Sequence, residues 1–296
     1  MKFLVILNPY SGRWRGGKER LAIEQALRRS GLEFEILETH GPGEARSLAQ
    51  EISGAASATI LVAGGDGTIS EVVNGLFAAR PEGRLGPIGI LPTGTANDLV
   101  VNLGLPTDYT EVIELARGGH VRTIDLGMVN GTVFDNNSAV GLEPVVTIYN
   151  IRMRRLRGVI RYLVAALRAI LAKGEWQMRL AWDDGSYEGP VSLVSVGNGA
   201  ITGGLFHMAP AADPCDGRLT FVYGYARTRR KMLGLLPRTM DGSFVDDPVI
   251  HQHHTTRLMI SSDPPTPLQA DGEIRDEAAS EVTYEILPAR LDVFSP

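Results

Sequence analysis

The chain has 296 residues, 44% hydrophobic and 21% charged, an ordinary globular composition with enough apolar material for two cores. Its formal net charge of -5 argues against a nucleic-acid partner, which calls for a basic surplus. The only cysteine, Cys215, excludes an intramolecular disulfide and gives no support to secretion.

Residues 1–7 place a lysine before an apolar run that stops at Asn8-Pro9 with no small-residue cleavage site, so residues 3–7 read as a buried strand rather than a signal peptide. Residues 18–30 carry Leu21, Ile23 and Leu27 among charges and stop at Gly31, which predicts a helix. Strands at 33–37, 59–63 and 88–91 then alternate with helices at 44–53, 69–79, 97–103 and 110–117. That alternation predicts a parallel sheet covered on both faces. From Thr123 onward short strands dominate, at 176–180, 191–196, 219–223, 257–260 and 282–286, which predicts an antiparallel β-sandwich. One helix, 151–173, interrupts them, and residues 291–294 read as a strand returning to either domain. The expected organisation is an α/β nucleotide domain over 1–122, joined by 288–296, and a β-rich domain over 123–287. No segment offers about 18 uninterrupted apolar residues, so no transmembrane helix is expected.

Gly64-Gly65-Asp66-Gly67-Thr68 follows an apolar strand and precedes a helix. Its glycines allow close backbone approach to a ligand, and the helix N-terminus offers N–H groups and partial positive charge to a phosphate. Thr68 can cap the helix or donate to a phosphate oxygen, and Asp66 can hold magnesium. The string is neither the dinucleotide fingerprint nor a Walker A loop. Asn8-Pro9-Tyr10-Ser11-Gly12 and Pro92-Thr93-Gly94-Thr95-Ala96-Asn97-Asp98 also follow strands, and ligands of open α/β sheets bind at such carboxyl ends.

Gly64-Gly65-Asp66-Gly67-Thr68 resembles the nucleotide motif shared by diacylglycerol kinases, sphingosine kinases, NAD kinases and phosphofructokinases. The Asn8 and Pro92 strings, Asp125-Leu126-Gly127, Gly197-Asn198-Gly199 and Asp271-Gly272-Glu273 resemble the lipid-kinase branch, in order from residue 8 to residue 273. The resemblance implies an α/β nucleotide domain paired with a β-rich domain, with ATP and Mg2+ in the cleft between them. It implies nucleotide contacts from Asn8, Pro9, Ser11, Gly12, Thr39, Gly64, Gly65, Asp66, Gly67, Thr68, Glu71, Thr93, Gly94, Thr95 and Asn97. It also implies a catalytic magnesium network of Asp66, Asp98 and Asp125, and a structural magnesium held by Asp213, Asp216 and the Arg218 carbonyl. Gln269-Ala270-Asp271-Gly272-Glu273 resembles the segment that supplies the acid/base carboxylate. Which of the two acidic residues accepts the proton is left open, with Glu273 favoured slightly and Asp271 placed at metal or phosphate. The Arg13 and Trp14 side chains exceed what a minimal phosphate loop needs, and Thr39-His40-Gly41 is a weak match alone.

Helix 151–173 carries Arg152, Arg154, Arg155, Arg157, Arg161, Arg168 and Lys173 with no acidic residue. At helical spacing Leu156, Ile160, Leu163, Val164, Leu167, Ile170 and Leu171 share one face, with arginines beside it. That pattern suits an interfacial helix on anionic lipid, or equally a core helix with a basic outer side. His251, His253 and His254 read as a solvated loop rather than a metal site. The expected activity is ATP- and magnesium-dependent phosphorylation of a lipid hydroxyl, diacylglycerol by default, by a cytoplasmic protein peripheral to the inner membrane surface. The alternatives are an NAD kinase and a non-catalytic nucleotide- or lipid-binding regulator. An exposed strand edge in the β-rich domain could pair two copies.

Overall fold

The computed structural model describes residues 2–54, 58–153, 158–172 and 174–296. The chain divides into two units, Met1–Leu126 with Leu287–Pro296, and Gly127–Ile286.

In the first unit the apolar run forms β1 (Lys2–Leu7), buried from Phe3 onward. After it comes α1 (Ser11–Ser30), whose opening turn holds Gly12, Arg13 and Trp14 in left-handed backbone (φ 54, 62 and 72), so regular helix begins beyond them. It stops at Gly31 in the left-handed conformation (φ 71), as the glycine signal predicts. The chain continues through β2 (Glu33–Glu38), α2 (Glu44–Ile52), β3 (Ala58–Gly64), α3 (Asp66–Ala79), β4 (Leu85–Pro92), α4 (Asp98–Leu103), α5 (Tyr109–Gly118) and β5 (Val121–Val129). The strands pair in parallel in the order β2-β1-β3-β4, and the returning C-terminal residues Leu291 and Val293 add to β4 opposite Leu85 and Ile88. Phe3, Val5, Leu7, Leu61 and Leu91 of this sheet pack against Ile23 and Leu27 of α1 and Ile113 of α5. The register aligns Leu7 with Ala63 and Gly64 with Pro92, so the chain leaves β1, β3 and β4 at one sheet edge.

The second unit contains β6 (Thr132–Phe134), β7 (Asn137–Gly141), α6 (Leu142–Arg152), α7 (Gly158–Ala172), β8 (Trp176–Trp182), β9 (Gly185–Val191), β10 (Leu193–Gly197), β11 (Leu219–Gly224), α8 (Arg229–Leu235), β12 (Ile250–Thr255), β13 (Arg257–Ala270) and β14 (Glu273–Phe294) as far as Ile286, the rest of β14 belonging to the first unit. It is an antiparallel sandwich with strand order β12-β11-β10-β7-β13-β14, β8 pairing β13 and β9 pairing β8. Its core gathers Phe134, Met178, Leu180, Val196, Phe221, Leu258 and Tyr284.

Three expectations need correction. The single helix 151–173 is two helices, because α6 ends at Arg152 and Met153 leaves helical geometry (φ -91, ψ 84). Arg154, Arg155, Leu156, Arg157 and Lys173 lie outside the described residues. The single apolar face of that helix is also wrong. Ala165, Ala166, Ala169 and Ile170 of α7 are buried, while Ile160, Leu163, Leu167 and Leu171 are exposed. Alanine suits the inner face because α7 packs close against α6. Finally, His251, His253 and His254 lie on β12 rather than in a loop. His253 is stacked on Phe221 and tilted against Trp182, and burial lowers its pKa.

Candidate functional site

The three phosphate-type turns of the first unit interlock. Asn8 Nδ2 donates to Thr68 Oγ1 at 2.9 Å, tying the first turn to the second. The Ser11 and Thr93 hydroxyls lie 2.5 Å apart, tying the first to the third. Thr93 N–H donates to the Gly64 carbonyl at 2.9 Å, tying the third to the second. Glycine is required at the crossings. A Cβ on Gly94 would sit 2.5 Å from Gly65 Cα, one on Gly65 would sit 2.8 Å from Gly94 Cα, and one on Gly12 would sit 2.2 Å from the Thr93 carbonyl oxygen. The backbones therefore approach one another more closely than any side chain permits.

Asp66 anchors this arrangement. Its Oδ2 accepts from Asn97 N–H at 2.9 Å and its Oδ1 from Asp98 N–H at 2.5 Å, which fixes the third turn against the start of α3. Burial raises the Asp66 pKa, opposed by those backbone hydrogen bonds. Asn97 stands in left-handed backbone (φ 54), and its buried Oδ1 has no hydrogen-bond partner. Asp98 is buried beside it. Asp125 is buried too, and its Oδ1 accepts from Ala289 N–H at 2.6 Å, just before the returning C-terminal strand residues.

Among the described residues no three His, Cys, Asp or Glu side chains group closely enough to hold a metal by themselves. The donor chemistry of Asp66 and Asp98 still fits magnesium, which commonly takes one or two carboxylates and completes its shell from phosphates and water. A cation there would also favour the Asp66 anion that burial disfavours.

Two residues of the expected nucleotide set have structural roles. Glu71 caps α2, its Oε1 accepting from Gly43 N–H at 2.8 Å and its Oε2 from Ala45 N–H at 3.2 Å. Thr39 is buried at the end of β2, where its N–H donates to the Leu7 carbonyl at 2.9 Å. Trp14 packs edge-on to Tyr10 and is 62% exposed, so it covers the loop.

In the second unit the Asp271 carboxylate gathers the chain before β7. Asp135 N–H donates to its Oδ2, and Asn136 and Asn137 N–H donate to its Oδ1, at 3.1–3.2 Å. Asp271 itself is in left-handed backbone (φ 47). Asn198 Nδ2 donates to the Asp135 carbonyl at 2.8 Å, so the Gly197-Asn198-Gly199 string braces the same segment. Glu273 is exposed and pairs with Arg275 at 3.2 Å. In the 213–218 turn, Asp213 Oδ1 accepts from Cys215 N–H and Asp216 Oδ1 from Arg218 N–H, each closing a local turn.

Sequence reasoning missed Glu143, which lies in the first turn of α6 and is buried. Its Oε1 accepts from Asn137 Nδ2 at 2.8 Å and from Gln269 Nε2 at 3.2 Å. Burial pushes its pKa up to about 7, although Asn137, Ser195 and Gln269 favour the anion. An isolated Glu in a first helical turn looks like a dipole partner, so nothing in the sequence marks it.

Residues 2–129 match the diacylglycerol kinase catalytic domain, and residues 137–295 match the YegS C-terminal NAD kinase beta sandwich-like domain. Together the two units are those of a phosphotransferase of the lipid-kinase class. The chain belongs to the YegS and diacylglycerol kinase family. A Pseudomonas aeruginosa protein named a probable lipid kinase YegS-like is 29% identical over 296 residues, covering 100% of this chain and 94% of that protein. A Bacillus subtilis diacylglycerol kinase is 27% identical, covering 91% of this chain and 88% of the relative. A crystal structure from Bacillus anthracis, provisionally called a diacylglycerol kinase, superposes with TM-score 0.81 at 25% identity, covering 100% and 97% of the two chains.

Proposed function

We propose that this protein transfers the γ-phosphoryl group of ATP, with magnesium, to a lipid hydroxyl, with diacylglycerol as acceptor and phosphatidic acid as product. The observation that carries this reading is the interlocking of three glycine-bearing turns at the carboxyl ends of β1, β3 and β4. Ser11, Thr68, Thr93 and the N-terminus of α3 offer hydroxyl and N–H donors to phosphate oxygens. Asp66 and Asp98 would hold magnesium, which neutralises charge developing on the transferred group. A carboxylate at the Asp271–Glu273 turn takes the proton of the attacking hydroxyl. Asp271 is the better supported of the two. Three backbone N–H groups fix its carboxylate in place, on the two-residue Asp271-Gly272 hairpin turn between β13 and β14. Glu273 is committed to Arg275 at the surface.

Radiolabelled ATP, magnesium and mixed micelles carrying a lipid panel, with NAD as a soluble acceptor, test this. Labelled phosphatidic acid is expected, falling roughly 100-fold or more in Asp66→Asn and Asp271→Asn and less than about tenfold in Glu273→Gln. A larger loss in Glu273→Gln would exchange the two roles. Label on NAD alone would end the lipid reading, and ATP binding without transfer would favour a regulator.

The reading also places the protein at a membrane surface. No helix among the described residues is long and apolar enough to cross a bilayer. Ile160, Leu163, Leu167 and Leu171 nevertheless form an exposed apolar stripe along α7, with Arg161 and Arg168 beside it. An apolar stripe flanked by arginine suits the headgroup boundary of anionic lipid. Replacing Leu163, Leu167 and Leu171 together by serine is expected to reduce co-sedimentation with phosphatidylglycerol vesicles at least about tenfold. Unchanged sedimentation would remove α7 from the membrane contact.

A further inference from the structure

The chain is acidic overall, with a formal net charge of -5, yet the stretch from Arg227 to Met240 holds Arg227, Arg229, Arg230, Lys231 and Arg238 and no acidic residue. These cations sit on or beside α8 and on the short helical turn Leu236–Met240 that follows it. Like charges gathered so closely repel unless an anion binds them. One carboxylate of the chain does so in part. Asp247 is buried, and its Oδ2 accepts from Lys231 Nζ at 2.7 Å and from Arg238 Nη1 at 3.1 Å. Two cations that share one oxygen are necessarily held within about 6 Å of each other.

An open cleft of about 380 Å³ lies beside this pair, and its lining includes Thr228, Arg230, Lys231, Arg238 and Asp247. Arg230 is exposed and has no hydrogen-bond or ion-pair partner among the described residues. Donors also remain on the other two. Arg238 gives Nε to the Ser243 hydroxyl at 3.4 Å and Nη2 to the Ser243 carbonyl, which leaves part of its five-donor fork unspent. Lys231 spends one ammonium N–H on Asp247. Asp247 is the one carboxylate of the lining, and the Lys231 hydrogen bond holds it below the usual carboxylate range, so it stays ionised. Three cations against one carboxylate leave an excess that a single dianion would neutralise. Arginine and lysine donors converging on one point suit phosphate oxygens. The volume exceeds that of a bare phosphate and falls among small-molecule sites, which commonly span roughly 300–1,000 Å³.

We propose that this cleft of the second unit is a phosphate-ester site, in which Arg230, Lys231 and Arg238 hold the dianionic phosphate group of a phosphomonoester. Asp247 is a positioning residue. It fixes Lys231 and Arg238 before the ligand arrives, so less side-chain freedom is lost on binding. Two sources supply this chemistry, a soluble phosphomonoester and the headgroup of a phosphatidic acid, and the test separates them. The site goes beyond the kinase reading and does not rest on it, since its residues lie outside the nucleotide turns and the Asp271–Glu273 turn.

The test is equilibrium dialysis of radiolabelled inorganic phosphate against the full chain at pH 8, where phosphate is mainly the dianion. A saturating non-hydrolysable ATP analogue with magnesium is present to occupy the turns of the first unit. One bound phosphate is expected that weakens about threefold or more in Arg230→Gln and at least about tenfold in the double variant Arg230→Gln, Lys231→Gln. Arg179→Gln makes the same charge change elsewhere in the unit and is expected to bind as wild type. Arg230 has no partner to lose, so its variant keeps the test independent of any effect of Lys231 on folding. Wild-type binding by the double variant, equal weakening in Arg179→Gln, or displacement of phosphate by chloride at equal ionic strength overturns the proposal. Competition by glycerol 3-phosphate as strong as that by dioctanoyl phosphatidic acid, below its aggregation concentration, supports a soluble ester. At least about tenfold stronger competition by the lipid supports a headgroup. Failure of both to compete overturns the ester assignment. Phosphate binding that depends on Arg230 in a protein that phosphorylates no lipid would leave this site standing and the kinase reading fallen.

Discussion

Gly94→Ala is expected to lower nucleotide affinity and phosphoryl transfer by roughly 100-fold while leaving the protein folded. The added Cβ would lie 2.5 Å from Gly65 Cα and 2.5 Å from Asn97 Oδ1. The first contact is with backbone, which has no rotamer through which to escape. Ordinary contact needs about 3.4 Å, so the third turn must retreat from the second by nearly 1 Å. A displacement of that size at a positioned reaction costs about 10²-fold, and overpacking costs about 1–3 kcal/mol of stability. Gly54→Ala makes the same chemical change where a Cβ meets nothing within 4 Å, so it should match wild type. ATP titration by calorimetry and single-turnover transfer on both variants decide the matter. Gly94→Ala with wild-type affinity would mean that the interlocked turns are scaffold and that the phosphates bind elsewhere.

The turns were legible because their chemistry is local. Glycine strings after apolar strands state a backbone requirement that no other residue meets, and the strand–helix alternation places them at the carboxyl ends of the sheet. The partners of each side chain were not legible. Asp66 and Glu71 stand five residues apart in and after one motif, yet one anchors the Asn97-Asp98 turn and the other caps α2. Nothing in the spacing separates those roles, because both depend on loops that arrive from elsewhere in the chain.

The β-rich unit was harder to read for a related reason. Helical periodicity treats alanine and leucine alike as apolar, so residues 151–173 gave one broad face. Packing distinguishes them, with alanines against α6 and leucines outward, and Gly158 marks where the second helix starts. The alternation in Ile250-His251-Gln252-His253 was masked by polar rings, which lie over the aromatic side chains of Phe221 and Tyr223 across the pair β11–β12. Glu143 shows the limit most clearly, since its importance arises from enclosure by β7, β13, α6 and α7, and burial is the one property a single residue type cannot announce.

Glu143 also makes stability depend on pH in a direction opposite to that of a salt-bridged carboxylate. Burial raises its pKa from 4.5 to about 7 in the folded protein. Below pH 4.5 the carboxyl is protonated in both states. Between the two values the unfolded chain has released its proton and the folded chain retains it, so folding binds a proton and stability falls as pH rises. Above about 7 both states are ionised and the loss is complete, about 3 kcal/mol from this group at roughly 1.36 kcal/mol for each pH unit that separates the two values. Glu143→Gln keeps the acceptor for Asn137 and Gln269 without an ionisation, so the variant should match wild type near pH 4.5 and exceed it by up to about 3 kcal/mol at pH 8. Urea unfolding in a Trp14→Phe background reports the second unit alone, because the remaining tryptophans, Trp176 and Trp182, both lie there. A wild-type-minus-variant difference that does not change with pH would show that Glu143 is not buried as an acid. If the difference grows with pH, the chain retains an ionisable carboxyl where an isosteric amide would be more stable.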